Sequence, residues 1–529
     1  MPKCTINGNE IEVKEGTTII EAMYKHDIRI AHYCYHPGLS IAGVCRLCMV
    51  EIEGNPRVQI ACNTVISEGM KINNTSEKVK EAVKWGLDFH LINHPLDCPI
   101  CDQAGECGLQ DQYMEYGKYD PEMAEPKQKK KKVVDLGPTV VLDSERCILC
   151  SRCVRFTDEV SKTHELGLFN RGDRTEIGTH EGKALDNKYS LNTVDICPVG
   201  ALTSKDFRFR QRVWYLKESE TVCTGCSTGC NIRVYFNKEG LFRVKPVFNA
   251  EVNGHWMCDE GRDIYKFVNR EHRLLVGRRW IGGIWQENHA GPLALQAGDW
   301  LRSTDSSKIA LVLTGQFTLE EYESLIARFV NDFKTKNVYH WMNHPERAQD
   351  FDGLLIRGDK NPNTTGLLQV MKKHGLQTKF SDLQSLLSSG LIETLVVAGP
   401  ENLKAYDDLA DRLKEFSKAK NFVWMSAGRC EAVDSLRGNV IQIPLKTFVE
   451  KAGTFINAKG LSQKIKVVTT VVSEALTLDQ VSQLFVSQDA PALAPALSSD
   501  LFVPAERPAD TVRLEHRKKN EFVHRRGPL

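Results

Sequence analysis

The cysteines of this chain are concentrated in its first half, and they restrict the fold more than any other feature of the sequence. Sixteen of the 17 cysteines precede residue 259, and only Cys430 follows it. Closely spaced cysteines in a long intracellular chain favour metal sites, whereas disulfide frameworks are typical of short secreted proteins. We therefore expect several loops that gather cysteine sulfur atoms around metal.

The length and net charge of the chain indicate its broad class of protein. A chain of 529 residues is too long for one core, and at about 150 residues per domain three or four domains are expected. The formal net charge of +1 argues against a general binder of nucleic acid or of membrane surfaces. The sequence contains no apolar run long enough to span a membrane, and its start resembles no targeting signal. We expect a cytoplasmic protein that begins to fold near its first residue.

The N-terminal segment has clear local signals. Residues 3–13 alternate apolar and polar positions around Asn7-Gly8, a dipeptide that favours a tight hairpin turn. Thr18 and Glu21 form a capping box before apolar residues at helical spacing. Two strands, a helix and then a cysteine-bearing loop are the order of a β-grasp ferredoxin domain.

Later segments predict other kinds of secondary structure. Apolar periodicity predicts a helix over residues 77–94, and the breakers and lysines of residues 121–138 indicate a solvated linker at a domain boundary. After residue 300, apolar runs alternate with amphipathic helices, which predicts an α/β unit with a mostly parallel sheet. Its strand candidates are "KIALVLTG", "LIETLVVAGP", "KNFVWMSAG" and "NVIQIPL". The Pro-, Ala- and Ser-rich tail after residue 487 is expected to be extended or disordered.

Two cysteine groups match ferredoxin spacings. The Cys34 group, with spacing C-x10-C-x2-C-x13-C, resembles the plant-type [2Fe-2S] pattern with a longer first gap; it comprises Cys34, Cys45, Cys48 and Cys62. The Cys147 group has the C-x2-C-x2-C run and Cys-Pro completion of bacterial [4Fe-4S] ferredoxins; it comprises Cys147, Cys150, Cys153 and Cys197. Because only one such run occurs, its last cysteine is predicted to close its own site.

A third group contains a histidine. In "HPLDCPICDQAGEC" the spacing H-x3-C-x2-C-x5-C defines the His94 group, which comprises His94, Cys98, Cys101 and Cys107. His90 lies one helical turn earlier and is an alternative ligand. We prefer His94 because it is nearer and because Pro95 turns the chain directly after it. A [4Fe-4S] cluster is predicted here.

The fourth group, the Cys223 group, has the spacing C-x2-C-x3-C with a distant fourth member; it comprises Cys223, Cys226, Cys230 and Cys258. Zinc is an alternative for this group and remains open for any four thiolates. In the company of three iron-sulfur patterns, a further [4Fe-4S] cluster is preferred. Cys4 and Cys430 remain, and we interpret them as packing residues.

Several clusters in one chain indicate an electron conductor, because each cluster transfers one electron with little rearrangement. The sequence contains no G-x-G-x-x-G after a predicted strand, no phosphate-binding loop and no evident flavin site. Oxidation of a hydride donor is therefore expected to occur on a partner protein, and no catalytic residue is assigned to this chain.

The order of the four groups, with "HPLDCPICDQAGECGLQDQ" and "EKAGTFINAKGLSQ", closely resembles the large iron-sulfur subunit of bacterial proton-pumping NADH-quinone oxidoreductase, respiratory complex I. The resemblance covers most of the first 275 residues and, more thinly, the chain up to about residue 465. It implies one [2Fe-2S] and three [4Fe-4S] clusters, with electrons passing from the Cys34 group to the Cys147 group and then to the His94 group.

The resemblance also implies partners and a location. Electrons would arrive from a flavin- and NADH-binding subunit and leave towards quinone, through other subunits of the peripheral arm. The membrane arm would be contacted only indirectly, at the cytoplasmic side of the bacterial inner membrane, and no nucleic acid would be bound.

The Cys223 group resembles the N-terminal cluster of molybdopterin oxidoreductases, with departures. Such enzymes often have lysine two residues after the last cysteine, where this chain has Glu260. The following α/β part is short for a bis-pterin cofactor, so we expect a vestigial scaffold without molybdopterin. Lys459 and Leu461 replace the Glu and Arg usual in the family, which is expected to weaken a local contact.

The predicted fold is therefore a set of α+β iron-sulfur modules followed by a shortened α/β molybdopterin-oxidoreductase-like domain. The expected boundaries are 1–78 for the β-grasp [2Fe-2S] domain, 79–120 for the [4Fe-4S] domain with one histidine and three cysteines, 121–218 for the ferredoxin-like [4Fe-4S] domain, 219–275 for the molybdopterin-oxidoreductase-type cluster domain, 276–486 for the vestigial α/β domain and 487–529 for the tail.

Two alternatives stay open. One is the electron-input subunit of a soluble NAD-linked hydrogenase or formate dehydrogenase, built from the same N-terminal modules. The other is a scaffold without redox activity, whose cysteines hold zinc.

Overall fold

The computed structural model of the chain describes residues 1–117 and 125–487. Within this range the chain forms two compact units, residues 1–216 and residues 217–487. No helix in the described range is long and apolar enough to cross a membrane. The bounds of the six predicted segments stay predictions, and the predicted tail lies outside the described residues apart from residue 487.

The first unit begins with a sheet and its covering helix. In chain order the elements are β1 (Lys3–Ile6), β2 (Asn9–Glu12), α1 (Ile19–Lys25), β3 (Met49–Ile52), β4 (Gln59–Ile60), β5 (Met70–Asn73) and α2 (Glu77–Leu91). The strands are ordered β2-β1-β5-β3-β4, with β1 and β5 parallel. The predicted hairpin turn is confirmed, with a φ of 51° at Asn7 and of 86° at Gly8. The predicted capping box at Thr18 is confirmed as well.

Helix α2 ends earlier than the apolar periodicity predicts. Its last residue is Leu91, and the amide of His94 donates to the Leu91 carbonyl in a final turn. Pro95 accounts for the difference, because a residue before proline is disfavoured in the helical region. His94 therefore lies just beyond the helix end, in the loop that leads to the next cysteines.

The remainder of the first unit consists of short elements around loops. They are α3 (Gly108–Tyr116), β6 (Val134–Asp135), β7 (Val140–Leu142), α4 (Arg152–Arg155), β8 (Leu166–Phe169), β9 (Glu176–Thr179), α5 (Asn192–Asp195) and β10 (Leu202–Ser204). Strands β10, β7 and β6 form one sheet in that order, and β8 pairs with β9. This unit thus consists of ferredoxin-like modules in which loops carry most of the cysteines.

The described lysines of this segment are largely exposed, as a solvated linker requires, and some of them also make specific contacts. The Lys127 ammonium donates to the carbonyls of Leu91 and Ile92 at 2.7 and 3.1 Å. Lys132 pairs with Glu145 at 2.7 Å. A cation at a helix C-terminus is stabilised by the unpaired carbonyls there, so Lys127 caps the end of α2.

The second unit begins with an antiparallel sheet and two short helices. These are β11 (Lys217–Val222), β12 (Asn231–Asn237), β13 (Gly240–Pro246), α6 (Asp259–Arg262) and α7 (Ile264–Val268). The strands are ordered β11-β12-β13, and the loop between β11 and β12 carries three members of the Cys223 group.

The rest of the second unit is the predicted α/β part. Its elements are β14 (Gly277–Ile281), β15 (Ile284–Asn288), α8 (Ala290–Ser303), β16 (Ile309–Leu313), α9 (Leu319–Asn331), β17 (Val338–His340), α10 (Thr364–Lys373), α11 (Phe380–Ser388), β18 (Thr394–Ala398), α12 (Leu409–Phe416), β19 (Asn421–Ser426), α13 (Glu431–Asp434), β20 (Asn439–Pro444), β21 (Gly453–Ile456), β22 (Ser462–Ile465) and α14 (Leu478–Val486).

The central sheet of this part is mostly parallel. Its order is β15-β14-β20-β19-β18-β16-β17, with parallel pairing from β20 to β17 and an antiparallel hairpin at the other edge. Four of its strands, β16, β18, β19 and β20, coincide with the four predicted strand candidates. The predicted α/β fold is confirmed.

A buried ion cluster stabilises the α/β part. The Lys451 ammonium lies 2.6 Å from the Glu401 carboxylate and 2.9 Å from that of Glu321, and all three side chains are at most 4% exposed. Burial opposes the charge on Lys451, but the two carboxylates raise its pKa above the usual value. Removal of the lysine would leave two carboxylates buried together without a cation.

We expect Lys451→Met to destabilise the second unit by about 3–5 kcal/mol, the usual cost of breaking a buried ion pair from one side. Urea unfolding of the purified chain measures the change. Lys373→Met is the matched control, because Lys373 pairs with Glu323 while its side chain is 65% exposed. Such surface pairs contribute about 1 kcal/mol or less. Equal effects of the two substitutions would contradict the structural role of the buried cluster.

Candidate metal centres

The Cys34 group comes together in the loops beside the first sheet, and its four members are at most 6% exposed. The Tyr33 amide donates to the Cys45 sulfur at 3.3 Å. A hydrogen bond between the sulfurs of Cys34 and Cys45 lowers the pKa of Cys34 to about 5 and raises that of Cys45. Cys48 and Cys62 form a second pair of the same kind. All four predicted members are therefore neighbours.

The Cys147 group surrounds a small cavity of its own. Leu149 and Ser151 have φ values of 56° and 59°, so the chain turns between successive cysteines and brings their side chains together. Burial raises the pKa of Cys147 to about 12 and that of Cys150 to about 11. Cys197 reaches the same cavity from 44 residues further along the chain than Cys153. The structure thus brings Cys197 to the cavity that the other three cysteines line.

The His94 group lines a cavity of about 340 Å³, larger than the cavities of the Cys147 and Cys223 groups. His94 and all three cysteines of the group contribute to the wall, and much of the remainder is apolar. The volume lies in the range of small-ligand and cofactor cavities, which is about 300–1,000 Å³. Four candidate ligands that share one cavity fit an iron-sulfur cluster better than they fit four separate packing roles.

The surroundings of the His94 side chain favour a neutral imidazole that could bind metal. Its side chain is buried, and its Nδ1 atom has no hydrogen-bond partner in the described part of the chain. Burial lowers the pKa of His94 to about 4, and the nearby cations Arg146 and Lys127 act in the same direction, while Asp97 opposes them. At neutral pH the imidazole therefore carries a free lone pair.

His90 has a different environment. Its Nδ1 atom lies 2.6 Å from the Gly86 carbonyl one turn earlier in α2, and its ring contacts Tyr33 edge-on at 5.1 Å between centroids. His90 is not part of the wall of the cavity that His94 lines. The contacts of His90 are those of a packed helix residue.

Gly200 lies against a sulfur of the His94 group. A Cβ atom at this position would be 2.4 Å from the Cys101 sulfur, closer than real side chains approach. Gly200 follows Cys197 and Pro198, and the Pro198 carbonyl accepts a hydrogen bond of 2.8 Å from the Gly108 amide. The loop that closes the Cys147 group therefore also forms part of the His94 site.

The Cys223 group lies in the second unit and lines a small cavity. Amides of Gly225 and Gly261 donate to the sulfurs of Cys223 and Cys258 at 3.4 and 3.3 Å. Burial raises the pKa of Cys258 to about 12. Backbone donors to sulfur are typical of iron-sulfur sites, where they stabilise the negative charge of the ligands.

The motif segment "INAKGLSQ" supports the loop of the Cys223 group. Asn457 and Gln463 donate to the carbonyls of Thr228 and Gly229 at 3.2 and 2.8 Å. Lys459 donates to the Glu251 carbonyl at 2.9 Å, so this departure from the family pattern has a contact of its own. The Leu461 amide donates to the Asn457 side chain, and this bond does not depend on the side chain at 461.

Two arginines link the Cys34 group to the Cys147 group. The Arg155 guanidinium donates to the Cys34 carbonyl at 2.5 Å and to the Cys150 carbonyl at 3.4 Å. Arg152 is buried and donates to the carbonyls of the residues next to Cys34 and Cys197. These are the carbonyl of Tyr35 at 2.5 Å and that of Ile196 at 3.1 Å.

A third arginine links the Cys147 group to the His94 group. Arg146 precedes Cys147 and is 4% exposed, and its guanidinium holds both oxygens of Asp97, at 2.7 and 3.2 Å. Asp97 precedes Cys98. Burial favours the neutral acid, but the bond to Arg146 holds the pKa of Asp97 below its usual value. The sequence patterns did not predict these arginine contacts, although all three arginines lie within or near the "CILCSRC" run.

The two remaining cysteines have packing roles. Cys4 belongs to the core beneath the first sheet, and Cys430 belongs to the core on one side of the α/β sheet. Within residues 1–117 and 125–487, no group of three or more His, Cys, Asp or Glu side chains is arranged to hold a single metal ion.

Comparison with known sequence families gives four matches, one for each group. Residues 3–77 match a 2Fe-2S iron-sulfur cluster binding domain, and residues 86–121 match the NADH-ubiquinone oxidoreductase-G iron-sulfur binding region. Residues 137–203 match the ferredoxin-like domain of NADH-quinone oxidoreductase subunit 3, and residues 216–270 match the molybdopterin oxidoreductase Fe4S4 domain. Domains of the [2Fe-2S] and [4Fe-4S] types are thus both present.

Individual relatives agree with these matches. The NADH-quinone oxidoreductase G subunit of Rickettsia felis is 38% identical over 320 residues, which are 60% of this chain and 47% of the relative. Residues 3–270 are thus similar to NADH-quinone oxidoreductase G subunits in all four matched regions. The G subunit of Streptomyces coelicolor is 40% identical over 60% of this chain and 38% of its own length. The potato mitochondrial NADH dehydrogenase iron-sulfur protein 1 is 42% identical over 50% of this chain and 36% of its own length.

The chain thus spans less than half the length of each of these three relatives in the matched regions. A solved structure, titled as an NAD+-reducing [NiFe]-hydrogenase in the H2-reduced state, is 28% identical over 40% of this chain and 91% of its own chain, with a TM-score of 0.37.

We expect Gly200→Ala to disturb the His94 site, because the added methyl group would meet the Cys101 sulfur. The expected result is loss of iron from one site, about four iron atoms per chain, with the other sites retained. Iron and acid-labile sulfide analysis after anaerobic purification measures it. Gly178→Ala is the control, since its Cβ would meet only the Phe169 ring, at 3.2 Å. An unchanged iron content in Gly200→Ala would contradict the close contact.

Proposed function

We propose that this chain is an electron-transfer subunit that holds one [2Fe-2S] cluster and three [4Fe-4S] clusters. The observation that carries the proposal is the convergence of fifteen cysteines and His94 into four largely buried groups. The Cys34 group would hold the [2Fe-2S] cluster, and the other three groups would each hold a [4Fe-4S] cluster. Such clusters supply one-electron transfer.

The contacts between groups support a conducting role in the first unit. Arginines join the Cys34 group to the Cys147 group and the latter to the His94 group through buried or partly buried hydrogen bonds. The chain's own residues thereby fix neighbouring sites at constant separation and exclude water from the sulfurs. Rigid spacing and low polarity are what electron transfer with little rearrangement requires.

By analogy with the G-subunit relatives, we infer that the chain acts within an NADH-quinone oxidoreductase. A flavin- and NADH-binding subunit would deliver electrons, and other peripheral-arm subunits would pass them towards quinone, coupled by the whole complex to proton translocation. The chain would lie peripherally, at the cytoplasmic side of a bacterial inner membrane. Any catalytic site for NADH or quinone would belong to those partners.

We infer that the α/β part binds no molybdopterin, because its ligand crevice is filled by its own chain. In an open parallel sheet, ligands bind beyond the carboxyl ends of the strands where the strand order reverses, here between β16 and β18. Gly315, just after β16, lies where a Cβ would be 2.7 Å from Asn361 and from Thr364. Asn361 and Asn363 are fully buried in this position.

Two other functions remain to be separated by experiment. A soluble NAD-linked hydrogenase or formate dehydrogenase would use the same cluster modules with a different partner. A zinc scaffold would use the same cysteines without redox activity, and it would be colourless. Co-purification with a flavin subunit and quinone-binding subunits distinguishes the proposed complex from the first alternative.

Metal analysis of the anaerobically purified full chain separates the iron-sulfur proposal from the zinc scaffold. The proposal requires a brown protein with about fourteen iron atoms, two from one site and four from each of the three others. Reduction with dithionite should give low-temperature electron paramagnetic resonance signals of both cluster types. Stoichiometric zinc, with no signal after reduction, would refute the electron-transfer function.

We expect His94→Cys to lower the reduction potential of one [4Fe-4S] cluster, because a neutral ligand is replaced by an anionic thiolate. Redox titration followed by electron paramagnetic resonance measures the shift. His90→Gln is the control and should leave every potential unchanged, since the Gly86 contact of His90 is a packing contact. An unchanged spectrum and potential in His94→Cys would remove His94 from the ligand set.

A further inference from the structure

A lysine from the α/β part faces the Cys223 group. The Lys360 ammonium lies 2.6 Å from the Glu260 carboxylate, and both side chains line the cavity that the four cysteines of the group share. Glu260 follows Cys258 by two residues, whereas Lys360 comes from a segment 100 residues further along the chain. The position where related cluster domains have a lysine thus has a glutamate that holds a lysine from elsewhere.

The segment that presents Lys360 is firmly attached to the cysteine loop. The Ser227 amide, next to Cys226, donates to the Asp359 carbonyl at 2.9 Å. The Thr228 hydroxyl donates to the Leu355 carbonyl, which lies shortly before Asp359 in the same segment. These bonds fix the backbone on which Lys360 is carried relative to the loop that carries the cysteines.

The other side of the same segment is anchored in the crevice of the parallel sheet. Asn361 is fully buried, and its side chain accepts a hydrogen bond of 2.7 Å from Tyr406 and donates to Asn343 at 3.2 Å. The backbone that carries Lys360 is therefore fixed on both sides, by its bonds to the cysteine loop and by the contacts of Asn361. The Lys360 side chain is 23% exposed. The cavity beside it is largely closed to solvent, so a charge there acts with less screening than on the surface.

We propose that Lys360 raises the reduction potential of the cluster bound by the Cys223 group and that Glu260 positions its ammonium group. The inference rests on the proposed function only in requiring a [4Fe-4S] cluster at this group. One-electron reduction by dithionite adds one negative charge to the cluster and its four thiolates. A fixed ammonium group stabilises that added charge, while the Glu260 carboxylate partly offsets it.

The two members of the pair therefore have opposite effects on potential. Lys360→Met removes a positive charge and should lower the potential, whereas Glu260→Gln removes a negative charge and should raise it. Lys360→Arg keeps the charge and should keep the potential near that of the parent chain. If the ion pair were purely structural, Lys360→Met and Glu260→Gln would shift the reduction potential in the same direction or leave it unchanged.

The test is a redox titration of the full chain, followed by low-temperature electron paramagnetic resonance. The Cys226→Ser variant is measured first, because the resonance signal that it lacks is the one that belongs to the Cys223 group. In Lys360→Met we expect the ratio of reduced to oxidised cluster at fixed potential to fall about tenfold, a shift of about 59 mV for one electron. The signals of the other three clusters should stay in place.

Lys373→Met is the charge-matched control, because Lys373 pairs with Glu323 and does not line the cavity. Equal shifts in Lys360→Met and Lys373→Met, or unchanged potentials in Lys360→Met, would overturn the assignment while leaving the clusters in place. If Cys226→Ser changes neither the iron content nor the spectrum, no cluster occupies this group, and the proposed cluster count fails together with the inference.

Discussion

The hydrogen bonds of Arg152 and Arg155 to backbone carbonyls are the interaction on which the cluster region of this protein depends. The Cys34 and Cys147 groups each combine closely spaced cysteines with a member further away in sequence, so separate segments must be held together before their sulfurs can share a site. Arg152 joins Tyr35 to Ile196 across 161 residues of chain, and it is buried. Hydrogen bonds of a charged donor contribute about 1.5–3 kcal/mol each. They also satisfy carbonyls that would otherwise be buried without partners.

Much of the local structure could be predicted from sequence because its causes are local. The Asn7-Gly8 turn, the capping box at Thr18 and the four central strands of the α/β sheet all depend on residues within one element. The cysteine groups could be proposed because close spacing restricts which sulfurs can converge. The end of α2 was misplaced by three residues, since apolar periodicity continues past the position where Pro95 stops the helix.

The missed features are pairings between distant residues of common type. Asp97 and Arg146 are 49 residues apart, and nothing in either neighbourhood specifies the partner. The same holds for Glu260 and Lys360. Lys127 is one of several lysines in a basic segment, yet it binds the carbonyls at the end of α2 beside the His94 site. Positive residues close to the cysteine runs were the available signal, and composition alone could not separate a bound cation from a solvated one.

The charges around His94 bear on why a histidine occupies that position. Arg146 is a buried cation nearby, but its guanidinium is paired with Asp97 through both carboxylate oxygens, so the pair adds little net charge to the site. Lys127 is engaged at the end of α2. The carbonyls that Lys127 contacts are neutral, so its positive charge remains beside the site, and the charge of the ligand set adds to it. Three thiolates and one imidazole carry one negative charge less than four thiolates, and burial makes each added negative charge costly. A cluster held by three thiolates and His94 would therefore accept an electron more easily than one held by four thiolates, and the Lys127 cation in the cavity wall would act in the same direction.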